Sequence, residues 1–226
     1  MSLFLDHGGL TLFTTETQLA TDAWKTVLNQ IMEFGDEIED EDEEFTKELL
    51  NVIVTVNDPL NSQPPEGYFT TKKLKRCENH FLDPESRLNG TDYGNRIRSH
   101  FGFKIGRDVY SIRTDQIESV LVRLKRNNTT RRAIITVFDP SIDHYKDKVP
   151  SMVMIDVKIR KNRLYMTAVW RSNDYYGSWI KNFFALKGLS KYLSNHLKIK
   201  MGPITVHSVS AHIYKRNYKD VSNMKN

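Results

Sequence analysis

The sequence has a single cysteine, Cys77, in 226 residues. One cysteine excludes an intrachain disulfide and a cysteine-based zinc site. Such sparse thiol use fits a reducing compartment, so a cytoplasmic location is expected. Seven prolines and eleven glycines are too few for a low-complexity or collagen-like chain. Apolar runs are short, Phe183-Phe184-Ala185-Leu186 being typical, so no membrane-spanning helix is expected. The opening MSLFLDHGG lacks the cationic end and long apolar stretch of a secretory signal. No internal repeat is visible. What is present, 39% apolar and 11% aromatic residues, suffices for one domain with a sizeable core.

Charge is unevenly spread. Residues 1–48 hold 2 Lys and Arg against 13 Asp and Glu, and the remainder holds 31 against 15. A basic body points to an anionic partner such as a nucleotide, a phosphate or a nucleic acid. The acidic run Asp36–Glu44 reads as a loop, solvated or folded back to screen that body. Residues 1–48 are therefore expected to be an acidic N-terminal extension, helix plus loop, packed on the main domain or partly disordered. Residues 49–226 show no internal boundary.

Periodicity sets the elements. Ala20, Trp24, Val27, Leu28 and Ile31 share a helical face. Leu49–Val56 reads as a buried strand stopped by Asn57-Asp58-Pro59, and Lys72–Leu82 as a short helix. Asp115–Arg126 is an amphipathic helix with Thr114 as its expected cap. Ala133–Phe138 is a strand, and Met152–Ile159 and Leu164–Trp170 pair around a turn. A helix from about Asn182 to Leu197 precedes a last strand, Ile204–Ser210. Mixed order without strict βαβ alternation predicts an α+β layer, a mixed sheet with helices on one face.

Three groups of residues suggest chemistry. Arg131-Arg132 and Arg171-Ser172 adjoin apolar strands, and guanidinium forks match phosphate oxygens in pairs. The stretch Arg171-Ser172-Asn173-Asp174 is followed by Asn182, whose carboxamide can pair with the N3–H and O4 edge of a uracil. A helix N-cap is the plainer role for Asn182, and Tyr175, Tyr176 and Trp179 read as core. His212 and Tyr214, two apart in an extended segment, can reach one ligand hydroxyl. His144, His196 and His207 read as structural or surface residues.

Together these segments resemble thymidylate synthase and the related pyrimidine-nucleotide C5 hydroxymethylases. Tyr93-Gly94-Asn95-Arg96-Ile97-Arg98 is similar to the family's Tyr-Gly-x-x-x-Arg. Asp115-Gln116-Ile117 and Thr130-Arg131-Arg132-Ala133-Ile134 are similar to its Asp-Gln-Ile and Ser-Arg-Arg-x-Ile. Val149-Pro150-Ser151 falls where the family has Pro-Pro-Cys. Arg171-Ser172-x-Asp174 follows at the family's spacing, then Asn182, then Ser210-Ala211-His212-Ile213-Tyr214, in the wording of shorter, archaeal-like members. These fragments, in order over about 120 residues, make the resemblance specific.

The resemblance implies an α+β homodimer built on back-to-back sheets. It implies 5,10-methylenetetrahydrofolate as cofactor, no metal, and a uracil nucleotide as substrate, with dUMP converted to dTMP. Arg171 and Ser172 would hold the phosphate, and Arg131 and Arg132 would reach the phosphate of the neighbouring subunit. Asn182 would read the base, His212 and Tyr214 would bind the ribose hydroxyl, and Asp174 would bind the pterin. Tyr93 would serve the water network around C5. Glu78, before Phe81-Leu82, stands nearest to the family's catalytic glutamate.

Two departures follow. Ser151 occupies the position of the nucleophilic cysteine, where family chemistry requires a thiolate. A hydroxyl is far less acidic and needs a base that the neighbouring sequence does not offer. Ser151 therefore reads as a deliberate exchange for cysteine, as the mark of a non-catalytic nucleotide-binding homologue, or as a sign of chemistry without covalent addition at C6. Cys77 is a weak substitute for it. Only 12 residues follow Tyr214. A missing closing tail would let water compete with hydride, which favours a hydroxymethyl product. A nucleic-acid-binding role ranks last, because the sequence lacks the known motif signatures.

Overall fold

The structure, a computed structural model, describes residues 2–7, 10–86, 92–99, 101–105, 108–112 and 114–224, with side chains described for 12–86, 92–99 and 114–224. In chain order come β1 (Ser2–His7), β2 (Leu10–Thr17), α1 (Ala20–Phe34), β3 (Asp36–Glu39) and β4 (Phe45–Val56). Next are α2 (Thr71–Asn79), α3 (Tyr93–Arg98), the antiparallel pair β5 (Phe101–Ile105) and β6 (Asp108–Ile112), α4 (Gln116–Arg126), β7 (Ile134–Thr136) and α5 (Pro140–Asp143). The chain continues through β8 (Met152–Arg160), β9 (Arg163–Asp174), a π-helical turn over Tyr175–Trp179, α6 (Ile180–Leu197), β10 (Lys200–Tyr214) and α7 (Tyr218–Asn223).

An eight-stranded sheet runs β1-β2-β4-β10-β9-β8-β7, and β3 pairs with β4. The β2–β4 and β9–β10 pairs are parallel and the others antiparallel, so the sheet is mixed. Strand side chains alternate between faces. Val52, Val54 and Val56 on β4, Ile204 and Val206 on β10, and Met166 and Ala168 on β9 are buried. The helices close this side: Trp24, Val27 and Ile31 of α1, Val120 and Leu124 of α4, and Phe184 and Leu189 of α6 are buried in the same core. On the opposite side the rows Ile53–His207–Val169–Met154 and Thr55–Thr205–Thr167–Asp156 stay half-buried or exposed. The α+β layer with helices on one face is the observed architecture.

The family-like motifs have structural work of their own. Gln116 accepts from Thr136 N–H (2.8 Å) and donates to the carbonyls of Thr136 (2.8 Å) and Arg96 (3.0 Å), standing in for a strand beside β7. Arg98 pairs with Asp115 at 2.7 Å. Arg96 forms a bidentate pair with the buried Asp143, 2.7 and 2.9 Å, which ties α3 to α5. Burial alone would raise the Asp143 carboxyl, but the Arg96 guanidinium more than offsets it and holds the group below its usual range. Gly188 lets α6 lie on the backbone of α2, since a Cβ there would stand 1.8 Å from the Glu78 carbonyl oxygen.

Several expected boundaries move. Asp115, not Thr114, caps α4, accepting from Ile117 N–H (3.0 Å) and Glu118 N–H (3.2 Å). The strand expected over 133–138 is ordered as a ladder only at 134–136. The strand expected over 49–56 begins at Phe45, so the division drawn at 48/49 falls inside β4. The acidic run contains β3 and a tight turn, in which Asp40 accepts from Asp42 N–H (3.0 Å) and Glu44 N–H (2.9 Å). Both β9 and β10 run past their apolar stretches, because the parallel ladder continues through Ser210–Ser172, Ala211–Asn173 and His212–Asp174. Backbone pairing is indifferent to side-chain polarity, which hydrophobic patterning cannot show.

Candidate active site

The carboxyl ends of the parallel strands β9 and β10 open into a cavity of about 210 Å³. Its walls include Tyr93 of α3, Ser151 just before β8, Ser172 and Asp174 of β9, Asn182 of α6, and His212 and Tyr214 of β10. Trp170, Asn173 and Ser178 complete the lining. A wider cleft of about 470 Å³ shares Ser151, Ser172, His212 and Tyr214 with this cavity and adds Arg171. Residues separated by more than a hundred positions are thus brought to one place by the end of a single sheet.

Each side chain is held by local structure. Tyr93 is buried, and its hydroxyl accepts from Met152 N–H (3.2 Å), beside Ser151. Burial pushes the Tyr93 phenol up, against the hydrogen bonds from Met152 and Ser151 and the charge of Arg171. The Arg171 guanidinium donates to the carbonyls of Pro150 (3.1 Å) and Val149 (3.0 Å), and the Arg171 backbone N–H donates to the Ser151 carbonyl (2.9 Å). The arginine therefore supports the loop that carries Ser151 and still faces the wider cleft. Asp174 accepts from Gly177 N–H (2.9 Å), capping the π-helical turn that leads into α6. That turn starts the helical run early, so Asn182 lies inside α6, not at its N-cap. Among the described residues the Asn182 carboxamide has no hydrogen-bond partner. Two more polar atoms of the lining, Trp170 Nε1 and Asn173 Oδ1, are buried and unpartnered. Unpaired polar groups are costly to bury, and two of those among the described residues belong to this lining.

His212 is buried, with its ring 5.1 Å from that of Tyr214 in an edge-on arrangement. Burial lowers the imidazole from its usual 6.5, although Asp174, Glu48 and Asp40 pull the other way. Burial thus favours the neutral ring, which can accept from or donate to a hydroxyl.

The cleft also has a lip that sequence reasoning did not place. Glu39, Asp40, Glu41 and Asp42, from the hairpin between β3 and β4, and Glu48 line it together with Arg171. Arg216 latches this hairpin, reaching Glu44 at 2.5 Å while its guanidinium stacks 4.0 Å over the Tyr214 ring. Ser210 donates to Glu48. The one available signal was the acidic run itself, which gives no direction of approach. Trp170 and Ser178 were also missed, the first masked by its core-like burial.

Other expected residues lie elsewhere. Arg131 and Arg132 are exposed on the loop after α4, outside both cavities of their own chain. Glu78 does not line the cavity; its carboxylate stands 3.8 Å from the Lys187 ammonium. Cys77 is buried in α2, away from the lining, and burial pushes its thiol up against the pull of Lys181, Lys73 and Arg76. Tyr175 and Trp179 are core residues, their rings stacked at 5.5 Å.

Fold and cavity define the class: an α+β domain with a polar cavity where two parallel strands end. A family model described as thymidylate synthase matches residues 66–225. A relative from Methanothermobacter marburgensis with the printed name "Putative thymidylate synthase" is 36% identical over 215 residues, covering 88% of this chain and 92% of its own. A relative of the same printed name from Methanothermobacter thermautotrophicus is 36% identical over 224 residues, covering 92% and 96%. Another, from Methanococcoides burtonii, is 32% identical over 203 residues, covering 89% of each. The chain belongs to the thymidylate synthase family.

Proposed function

We propose that the protein acts on C5 of a uracil nucleotide, transferring a one-carbon unit from 5,10-methylenetetrahydrofolate, with dUMP as substrate and dTMP as product. The observation that carries this reading is the convergence of Ser151, Ser172, Asn182, His212 and Tyr214 on one cavity, whose lining also includes Trp170 and Asn173, each with a buried unpartnered polar atom. Arg171 and Ser172 hold the phosphate. The Asn182 carboxamide reads the uracil edge with one donor and one acceptor. His212 and Tyr214 take the ribose hydroxyl. Tyr93 orders water beside C5. Asp174, a residue of the cavity lining, takes the cofactor, its carboxylate being of the type that accepts from the N–H groups of a pterin. When bound, the folate supplies the one-carbon unit and, for a methyl product, the hydride.

A second copy completes the phosphate subsite. Arg131 and Arg132 have no role in their own cavity, and the uncovered sheet face bearing Ile53, Val169 and Met154 offers the surface through which two chains would meet. The reading therefore includes a homodimer with these arginines shared, in the cytoplasm.

Ser151 favours a second reading. Among the described residues no hydrogen bond joins the Ser151 hydroxyl to a carboxylate or an imidazole, and the raised pKa of Tyr93 beside it leaves that phenol protonated at neutral pH. A serine without a base adds poorly to C6. The chain would then bind nucleotide without turnover; hydroxymethylation is the alternative reaction at the same carbon. The test is tritium release from [5-³H]dUMP with methylenetetrahydrofolate. Slow or no release by the Ser151 protein and clear release by Ser151→Cys are expected. No release with cysteine in place would sink the enzymatic reading, and dUMP binding by calorimetry would then decide for the binding one.

A further inference from the structure

Tyr214 closes β10, and its pairing with Thr46 is the last rung of the ladder to β4. The chain then leaves the sheet in a 3-10 turn, Lys215–Asn217. The Tyr214 ring is half-buried, and among the described residues no hydrogen bond reaches its hydroxyl. A ring at a strand end has little packing of its own to fix it. A phenol that recognises one ligand hydroxyl must nevertheless stand at a defined place.

Two side chains hold the ring. His212 meets it edge-on at 5.1 Å. The Arg216 guanidinium lies 4.0 Å from its centroid, the shortest such approach of a cation to a ring among the described residues. Arg216 is exposed, and a long exposed side chain is free to move. Glu44 removes that freedom, pairing with the guanidinium at 2.5 Å. Glu44 is in turn placed by its own backbone. Its N–H donates to the Asp40 carboxylate (2.9 Å), and its carbonyl accepts from Asp40 N–H (3.1 Å). Beside it the Lys215 ammonium stands 5.0 Å from the Phe45 ring, fastening the same turn to the same hairpin.

These contacts add little to the stability of the fold. Exposed ion pairs and exposed cation–π contacts are weak, and β10 is already held by ladders on both sides. Their effect falls on the ring at the end of the chain of contacts.

We propose that Arg216, held by Glu44, is a positioning residue that sets the Tyr214 phenol for recognition of the 3′-hydroxyl of the nucleotide sugar. The proposal rests on the ribose assignment of His212 and Tyr214 made above. Arg216 lines neither cavity, so it acts through Tyr214 and not on the ligand. A guanidinium suits the task, because its face can lie against a ring while its edge donates to a carboxylate.

The test is calorimetry with dUMP and with 2′,3′-dideoxyuridine 5′-phosphate, which keeps the base and the phosphate and lacks the 3′-hydroxyl. The unaltered protein should prefer dUMP by about tenfold, the worth of the lost hydrogen bonding. Arg216→Ala should cut that preference to about twofold or less, and Glu44→Gln should cut it to about fourfold. Both ligands carry the same charge, so the loss of a cation near the cleft cancels in the ratio. The melting temperature of the empty protein should stay within about 2 °C in both variants. A tenfold preference kept by Arg216→Ala would overturn the proposal, as would a melting temperature lowered by several degrees, which marks a merely structural role. A tenfold preference kept by Glu44→Gln would overturn the part given to Glu44. No preference in the unaltered protein would overturn the ribose assignment itself, and the proposal with it.

Discussion

The two ends of β9 and β10 make a natural comparison. Both strands start among exposed cations, Arg163, Lys191 and Lys200, and finish at the cavity, where charge is managed closely. There Arg171 is tied to the carbonyls of Val149 and Pro150, and Arg216 is latched to Glu44. Five carboxylates line the cleft beside Arg171. The difference teaches that net charge says little about a site. A basic body can carry its binding cleft under an acidic lip, and the lip opposes an anionic ligand unless cations from elsewhere, such as Arg131 and Arg132 of a second copy, neutralise it.

The comparison can be broken most forcefully at Arg171. Arg171→Ala should weaken dUMP binding at least about a hundredfold by calorimetry, since charge-assisted hydrogen bonds are worth about 1.5–3 kcal/mol each. Unchanged affinity would remove the phosphate assignment. Asn182→Asp should shift preference from uracil towards cytosine nucleotides by about tenfold, one amide donor having become an acceptor; an unaltered ratio of affinities would reject base reading by this residue.

Smaller effects sharpen the contrast. Neutralising the lip with Glu39→Gln, Glu41→Gln and Asp42→Asn should tighten dUMP binding a few-fold at low salt and lose that gain as salt screens it. An equal gain at about 1 M salt would show that electrostatics is not the cause. The His212 imidazole is held below its usual value, so between pH 6.5 and its lower folded value the unfolded chain binds more protons. Stability therefore rises with pH through this window and is lost on acidification. His212→Asn should flatten that part of the pH–stability curve, as followed by thermal melts from pH 5 to 7. Least of all, Lys125→Glu with Lys191→Glu at the far end should leave dUMP affinity within about twofold, since the separation exceeds a Debye length.

Much of this was legible in the sequence, and the exceptions have physical reasons. The helical face of Ala20–Ile31 and the strands around Arg160–Arg163 follow from periodicity alone. Ser151, Ser172, Asn182, His212 and Tyr214 were gathered by ordered motifs, and the structure brings them to one cavity. Asn182 illustrates the limit: its N-cap reading failed because a π-helical turn, which has no simple composition, begins the helix early. The strand ends at Ser172–Asp174 and Ser210–Tyr214 were hidden because polar residues continue a ladder whose hydrogen bonds belong to the backbone. The acidic lip was visible as charge but not as a place. Glu78 does not line the cavity, because its place on α2 turns the carboxylate towards Lys187.

The carboxamide of Gln116 has one more consequence. By occupying both the N–H and the carbonyl of Thr136, it plugs the outer margin of the short terminal strand, so no further strand can zip onto the sheet there. Edge-to-edge growth at that border, the route to fibrous aggregates, is thereby opposed.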